Sequence, residues 1–123
     1  MKKVILILGL LITISFGATL EEATIAYNKG DYQTTKTIFE DLASKGDATA
    51  QHNLGVMYDF GKGVKQDYFK AKEWYEKAAN QGHASAQYNL GVMYDFGKGV
   101  KQDYFKAKEW YEKAANQGHA SAQ

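Results

Sequence analysis

The 123-residue chain contains neither cysteine nor proline. Small exported domains often use disulfides to supplement a small core, and this chain has none to use, so packing alone must hold it together. Charge of one sign is also missing. Fifteen basic residues, all lysine, stand against fourteen acidic ones, for a formal net charge of +1. A nucleic-acid binder usually shows a clear basic excess or stripe, and this balance argues against nucleic acid and against adhesion to anionic lipid. No apolar run is long enough to span a bilayer, which takes about 20 residues. The longest, Val4 to Ile14, is interrupted by Gly9 and followed by Glu21 and Glu22.

That run has another reading. Met1-Lys2-Lys3 is a short positive segment, the apolar stretch follows, and Ser15 and Gly17 place small residues before a cut ahead of Ala18. This is the layout of a secretory signal peptide over residues 1–17. With no cysteine after it, a lipoprotein anchor is excluded, and no stable membrane anchor remains after cleavage. The chain is expected to be exported, periplasmic or secreted.

What is present is a repeat. The string NLGVMYDFGKGVKQDYFKAKEWYEKAANQGHASAQ runs from Asn53 to Gln87 and again, unchanged, from Asn89 to Gln123, with Leu54 and Leu90, or Trp74 and Trp110, 36 positions apart. Repeats of this length mark stacked supersecondary units. Ala50, Leu54, Met57 and Tyr58 fall at i, i+4, i+7 and i+8, while Ala71, Trp74, Tyr75, Ala78 and Ala79 fall at i, i+3, i+4, i+7 and i+8. Each set makes one apolar stripe on a helix. Asp47 and Asp67 stand where N-caps would accept backbone N–H groups. Gly61 and Gly63 punctuate the connection, and Gly82 lies where a helix commonly ends. His83 replaces Asp47 in the next unit, which predicts a weaker cap. Glu73 and Lys77 are spaced for an i,i+4 ion pair. Gly55 and Gly91 sit inside helices at a cost of about 1 kcal/mol each; the expected compensation is a partner helix close enough for Trp74 or Tyr75 to lie over the missing side chain.

A divergent unit precedes the two copies. Thr19 to Lys29 and Tyr32 to Lys45 read as a helix pair in which Phe39 matches Tyr75, with a shorter connection at Gly30-Asp31. The divisions are therefore 1–17, 18–46, 47–82, 83–118 and the start of a further unit at 119–123. That last stretch stops before its Leu-Gly-x-Met-Tyr, so the chain reads as a truncated piece of a longer array. The alternative is a real terminus whose bare face docks on a partner or on another copy.

The pattern A-x-A-Q-x-x-L-G-x-M-Y-x-x-G-K-G-V-x-x-D-x-x-K-A-x-x-W-Y-x-K-A-A-x-x-G resembles the Sel1-like repeat, a relative of the tetratricopeptide repeat, over Asp47 to Gln123. Residues 18–46 resemble it weakly and are nearer a plain tetratricopeptide unit. The resemblance implies an all-α fold of about three repeats: a right-handed α-solenoid of antiparallel helix pairs, with first helices lining a concave face. It also implies a protein or peptide ligand along that face. Carried over residue by residue, the groove positions are Thr49, His52, Val56 and Asp59 in the second unit, with Ser85, Tyr88, Val92 and Asp95 as their equivalents in the third. Asp59 and Asp95 would favour a basic partner.

Nothing in the sequence reaches enzymatic strength. His83 and His119 are one repeat position, His52 stands alone, and no pair has the H-E-x-x-H spacing of a metal site. Carboxylates recur with the repeat, as Asp59 with Asp95 and Glu73 with Glu109, and do not form an acid/base pair. Gly61-Lys62-Gly63 lacks the shape of a phosphate loop. No catalytic, metal or cofactor residue is assigned. Some cysteine-rich relatives are described as β-lactamases or penicillin binders, but their cysteines would fall at Ala79 and Gln87, and the S-x-x-K signature is missing at Ser44 and Ser85. The expected function is an exported adaptor or scaffold for protein–protein contact; the alternatives are a β-lactam-directed enzyme and a spacer or fragment of a longer protein.

Overall fold

The computed structural model describes residues 18–118. The predicted signal segment, the start of a further unit at 119–123 and His119 lie outside the described residues. Six helices follow one another: α1 (Leu20–Asn28), α2 (Tyr32–Ser44), α3 (Ala48–Phe60), α4 (Tyr68–Asn80), α5 (Ala84–Phe96) and α6 (Tyr104–Ala115). Among the described residues there is no strand, and each helix packs against the next in chain order. The result is an all-α helical repeat fold of three helix pairs.

Each helix begins on a side chain that accepts orphan backbone N–H groups. Asp47 accepts from Ala50 at 2.9 Å, and Asp67 from Phe69 and Lys70 at 3.0 and 3.1 Å. His83 does cap α5, through Nδ1, but at a longer 3.2 Å from the Ala86 N–H. The first pair is capped by Thr19 and Asp31.

The core lies in the seams between pairs. One cluster joins Ala23, Ile38, Phe39, Ala43, Ala50, Leu54 and Met57, with Trp74 packed on its edge. The other joins Ala71, Tyr75, Ala78, Ala79, Ala86, Leu90 and Met93, with Val56 and Trp110 at its edge. Both tryptophans are therefore half-buried against a neighbouring cluster. Burying a large apolar side chain contributes roughly 1.5–3 kcal/mol, so Ile38, Phe39, Leu54 and Met57 in one seam, and Tyr75, Leu90 and Met93 in the other, outweigh any surface contact.

Two kinds of glycine let the backbones close up. A Cβ on Gly55 would sit 2.5 Å from Cδ1 of Tyr75, and one on Gly91 would sit 2.7 Å from Cδ1 of Tyr111. Of the two rings the spacing offered, the tyrosine is the one that covers the gap. Gly99 has φ +68°, and a Cβ there would lie 2.6 Å from the Tyr68 carbonyl, so the loop of the third unit rests on the backbone of the second.

One expected contact is replaced. Glu73 and Lys77 do not form the predicted ion pair; Lys77 lies over the Trp74 ring at 4.5 Å, and the pair that closes is Lys72 with Glu76, at 2.7 Å. The indole face offers the ammonium a partner within its own turn, and Lys113 repeats the arrangement on Trp110 at 4.4 Å.

Candidate partner-binding face

Steps of three and four residues place Thr49, His52, Val56 and Asp59 along one side of α3, and Ser85, Tyr88, Val92 and Asp95 along one side of α5. Thr49 is exposed and the other seven are half-buried. Asp59 accepts a hydrogen bond from the Tyr75 hydroxyl at 3.0 Å, and Asp95 accepts the same bond from Tyr111 at 3.1 Å. Burial first, and the Asp59 carboxylate second, push the Tyr75 hydroxyl well above the ordinary tyrosine range, so it remains a donor. Burial and Asp95 move Tyr111 in the same direction. Each acid is thus fixed in place by the second helix of its own unit.

His52 is held between units. Its Nδ1–H donates to Asn53 Oδ1 at 3.2 Å and its Nε2 accepts from Asn89 Nδ2 at 2.9 Å, both of which the neutral Nδ1–H tautomer satisfies. Its ring lies 5.7 Å from Tyr75 and stacks on His83 at 4.7 Å. In the third unit Tyr88 takes the position of His52, 5.6 Å from the Tyr111 ring. Val56 lines a hollow of about 260 Å³ together with Thr24, Tyr27, Phe39, Asn53 and Met57. That hollow exists beside Phe39, which has no hydroxyl to hold an acid as Tyr75 does.

Sequence reasoning missed the amides. Gln51 donates to the Ala43 carbonyl at 3.2 Å and accepts from Gln81 at 2.8 Å; Gln87 repeats this with Ala79 and Gln117. These bonds, buried at the Ala43 and Ala79 carbonyls and part-buried between the glutamines, tie the end of one second helix to the end of the next. Their signal was a glutamine beside each apolar stripe, at one repeat position in both copies. Asn53 and Asn89, each just before the stripe leucine, carried the same signal.

Two larger hollows, about 440 and 750 Å³, open at the loops joining α3 to α4 and α5 to α6. They are one feature repeated, framed by Lys65 with Lys70 and by Lys101 with Lys106, and the framing lysines named are exposed. The ordered polar groups lie instead on the first-helix face. Among the described residues no group of three His, Cys, Asp or Glu is arranged to hold a metal ion, and no helix is long and apolar enough to cross a membrane.

The Sel1 repeat family profile matches residues 48–83 and 84–119, both copies and well over half of the chain. The chain belongs to the Sel1 repeat family. Among solved structures it is similar to a Sel1 repeat protein from Oxalobacter formigenes, at 36% identity and a TM-score of 0.80, with 85% of this chain and 43% of that one covered. It is similar also to a protective antigen of uropathogenic Escherichia coli strains that displays an SLR fold, at 37% identity and a TM-score of 0.73 over 83% of this chain and 24% of that one. It therefore spans less than half the length of either. Helicobacter pylori cysteine rich protein B shares the fold at 23% identity and a TM-score of 0.71, over 86% of this chain and 96% of that one. No curated protein sequence matches the chain. Sel1-like repeats are generally non-enzymatic scaffolds for protein–protein interaction.

Proposed function

We propose that this Sel1-repeat chain is an exported adaptor that holds a protein or peptide segment along the first-helix face. The supporting observation is the row of ordered polar groups on α3 and α5: Asp59 and Asp95 anchored by tyrosines, and His52 fixed between Asn53 and Asn89. Side chains already held in place lose little entropy on binding, so a partner meets a preorganised surface. The hollow beside Val56 can take an apolar side chain from the same segment. Export rests on the signal layout of residues 1–17.

Photocrosslinkers placed singly at Thr49 and Ser85, with one at Glu76 on α4 as control, test the face. Partners captured from Thr49 and Ser85 but not from Glu76 support the reading; the same set from all three, or none, contradicts it. N-terminal sequencing of the protein recovered from the native host should begin at Ala18. The reading carries no catalysis, and turnover of nitrocefin by the pure protein would overturn that part. Exposed Tyr104 and Phe105 on α6 also leave room for self-association, which sedimentation at rising concentration would reveal.

A further inference from the structure

The two copies begin differently. The second unit opens on Asp47, a carboxylate cap; the third opens on His83, whose capping lone pair is lost when the ring is protonated. His83 caps through Nδ1, so in this structure it is neutral with its proton on Nε2. Its ring stacks at 4.7 Å, with planes 24° apart, on His52, whose Nε2 lies 2.9 Å from Asn89 Nδ2. One stacked pair therefore joins the start of the third unit to the middle of α3 in the second.

We propose that the His52–His83 stack is a proton-sensitive joint, in which protonation of the rings uncaps α5 and drives the second and third units apart at this seam. Three effects act together. A protonated His83 cannot accept from Ala86 N–H and places a cation at the positive end of the α5 dipole. A protonated His52 presents Nε2–H to the Asn89 amide donor. Two imidazolium rings in contact repel.

The surroundings set the direction. Around His83 the charged neighbour is Asp47, at the start of α3, which favours the proton. Burial outweighs it and holds the imidazole below its ordinary value. Around His52, α3 and α5 contribute the neutral amides Asn53 and Asn89. From α4 comes Tyr75, whose hydroxyl is bonded to Asp59. Because His83 takes the proton less readily in the folded chain than in the unfolded one, its contribution to stability is complete above the unfolded value of about 6.5 and is lost as pH falls through the lower folded value. Carboxylates titrate below about pH 5, which leaves a window in which histidine acts alone.

The full chain is unfolded in urea at pH 7.5 and pH 5.5, beside His83→Asn, which keeps a capping oxygen but cannot titrate, and His52→Tyr, the residue found at position 88. The wild type should lose more of its urea midpoint on acidification than either variant. In parallel, proton titration of the wild type by NMR should give a His83 midpoint below about 6.5, with the Ala86 amide shifting at the same midpoint while the Ala50 amide, capped by Asp47, stays still. An equal loss of midpoint in His83→Asn, a His83 midpoint at or above its ordinary value, or an Ala86 amide that does not follow the ring would overturn the proposal. The NMR titration needs no variant to fold, and neither readout depends on a bound partner.

Discussion

The second and third units differ only at Asp47/His83, Thr49/Ser85 and His52/Tyr88, yet the residues they share differ in how deeply they are buried. Leu54 and Leu90 are both fully buried, as are Ala50 and Ala86, because the first helix of a unit is enclosed by its own second helix and by the pair before it. The second helices differ. Tyr75 is fully buried, while Tyr111 is half-exposed; Tyr68 is half-buried, while Tyr104 is 65% exposed. Nothing in the sequence of α4 and α6 accounts for this. The third unit lies on α4, and among the described residues nothing lies beyond α6. Burial in this fold is a property of neighbouring pairs, as expected of an architecture whose stability is a sum over adjacent units.

Paired substitutions exploit the identity of the copies. Tyr75→Ala should cost about 3–5 kcal/mol, in the range of large-to-small core changes, and Tyr111→Ala clearly less, read as the difference in urea midpoints; equal costs would break the comparison. Gly55→Ala and Gly91→Ala each press a methyl into a tyrosine ring and should cost about 1–3 kcal/mol. The first should be the larger, because Tyr75 is walled in and Tyr111 can yield. Tyr75→Phe removes the bond to Asp59 and recreates the aromatic of the first unit, Phe39; a loss of about 1 kcal/mol is expected. Lys77→Ala and Lys113→Ala should cost about 0.5–1 kcal/mol and, unlike the others, cost the same, since each ammonium rests on a tryptophan of its own helix. A difference between those two would show that even this local contact depends on the neighbouring unit.

Features within one turn or one repeat were legible in the sequence. The caps Asp47 and Asp67, the weaker cap at His83 and the helix pair of residues 18–46 all rest on local spacing. Gly55 pointed to a close partner because its cost recurs at Gly91 and needs compensation. Choosing Tyr75 over Trp74 required the crossing geometry of α3 and α4, which spacing does not contain. The Glu73–Lys77 pair failed because charge spacing does not reveal a nearby indole that attracts the lysine. The Gln51–Gln81 bond and the His52–His83 stack join residues about thirty positions apart, where only the packed seam brings them together. For the candidate site, the resemblance to tetratricopeptide-like repeats supplied eight groove positions, but it did not show that Asp59 and Asp95 are already bonded to tyrosines.

Native-state hydrogen exchange tests the central claim most directly, because Tyr68–Asn80 and Tyr104–Ala115 share their sequence and hence their intrinsic exchange rates. The account predicts stronger protection throughout α4 than at the matching amides of α6. Equal protection in the two helices, or stronger protection in α6, would contradict it.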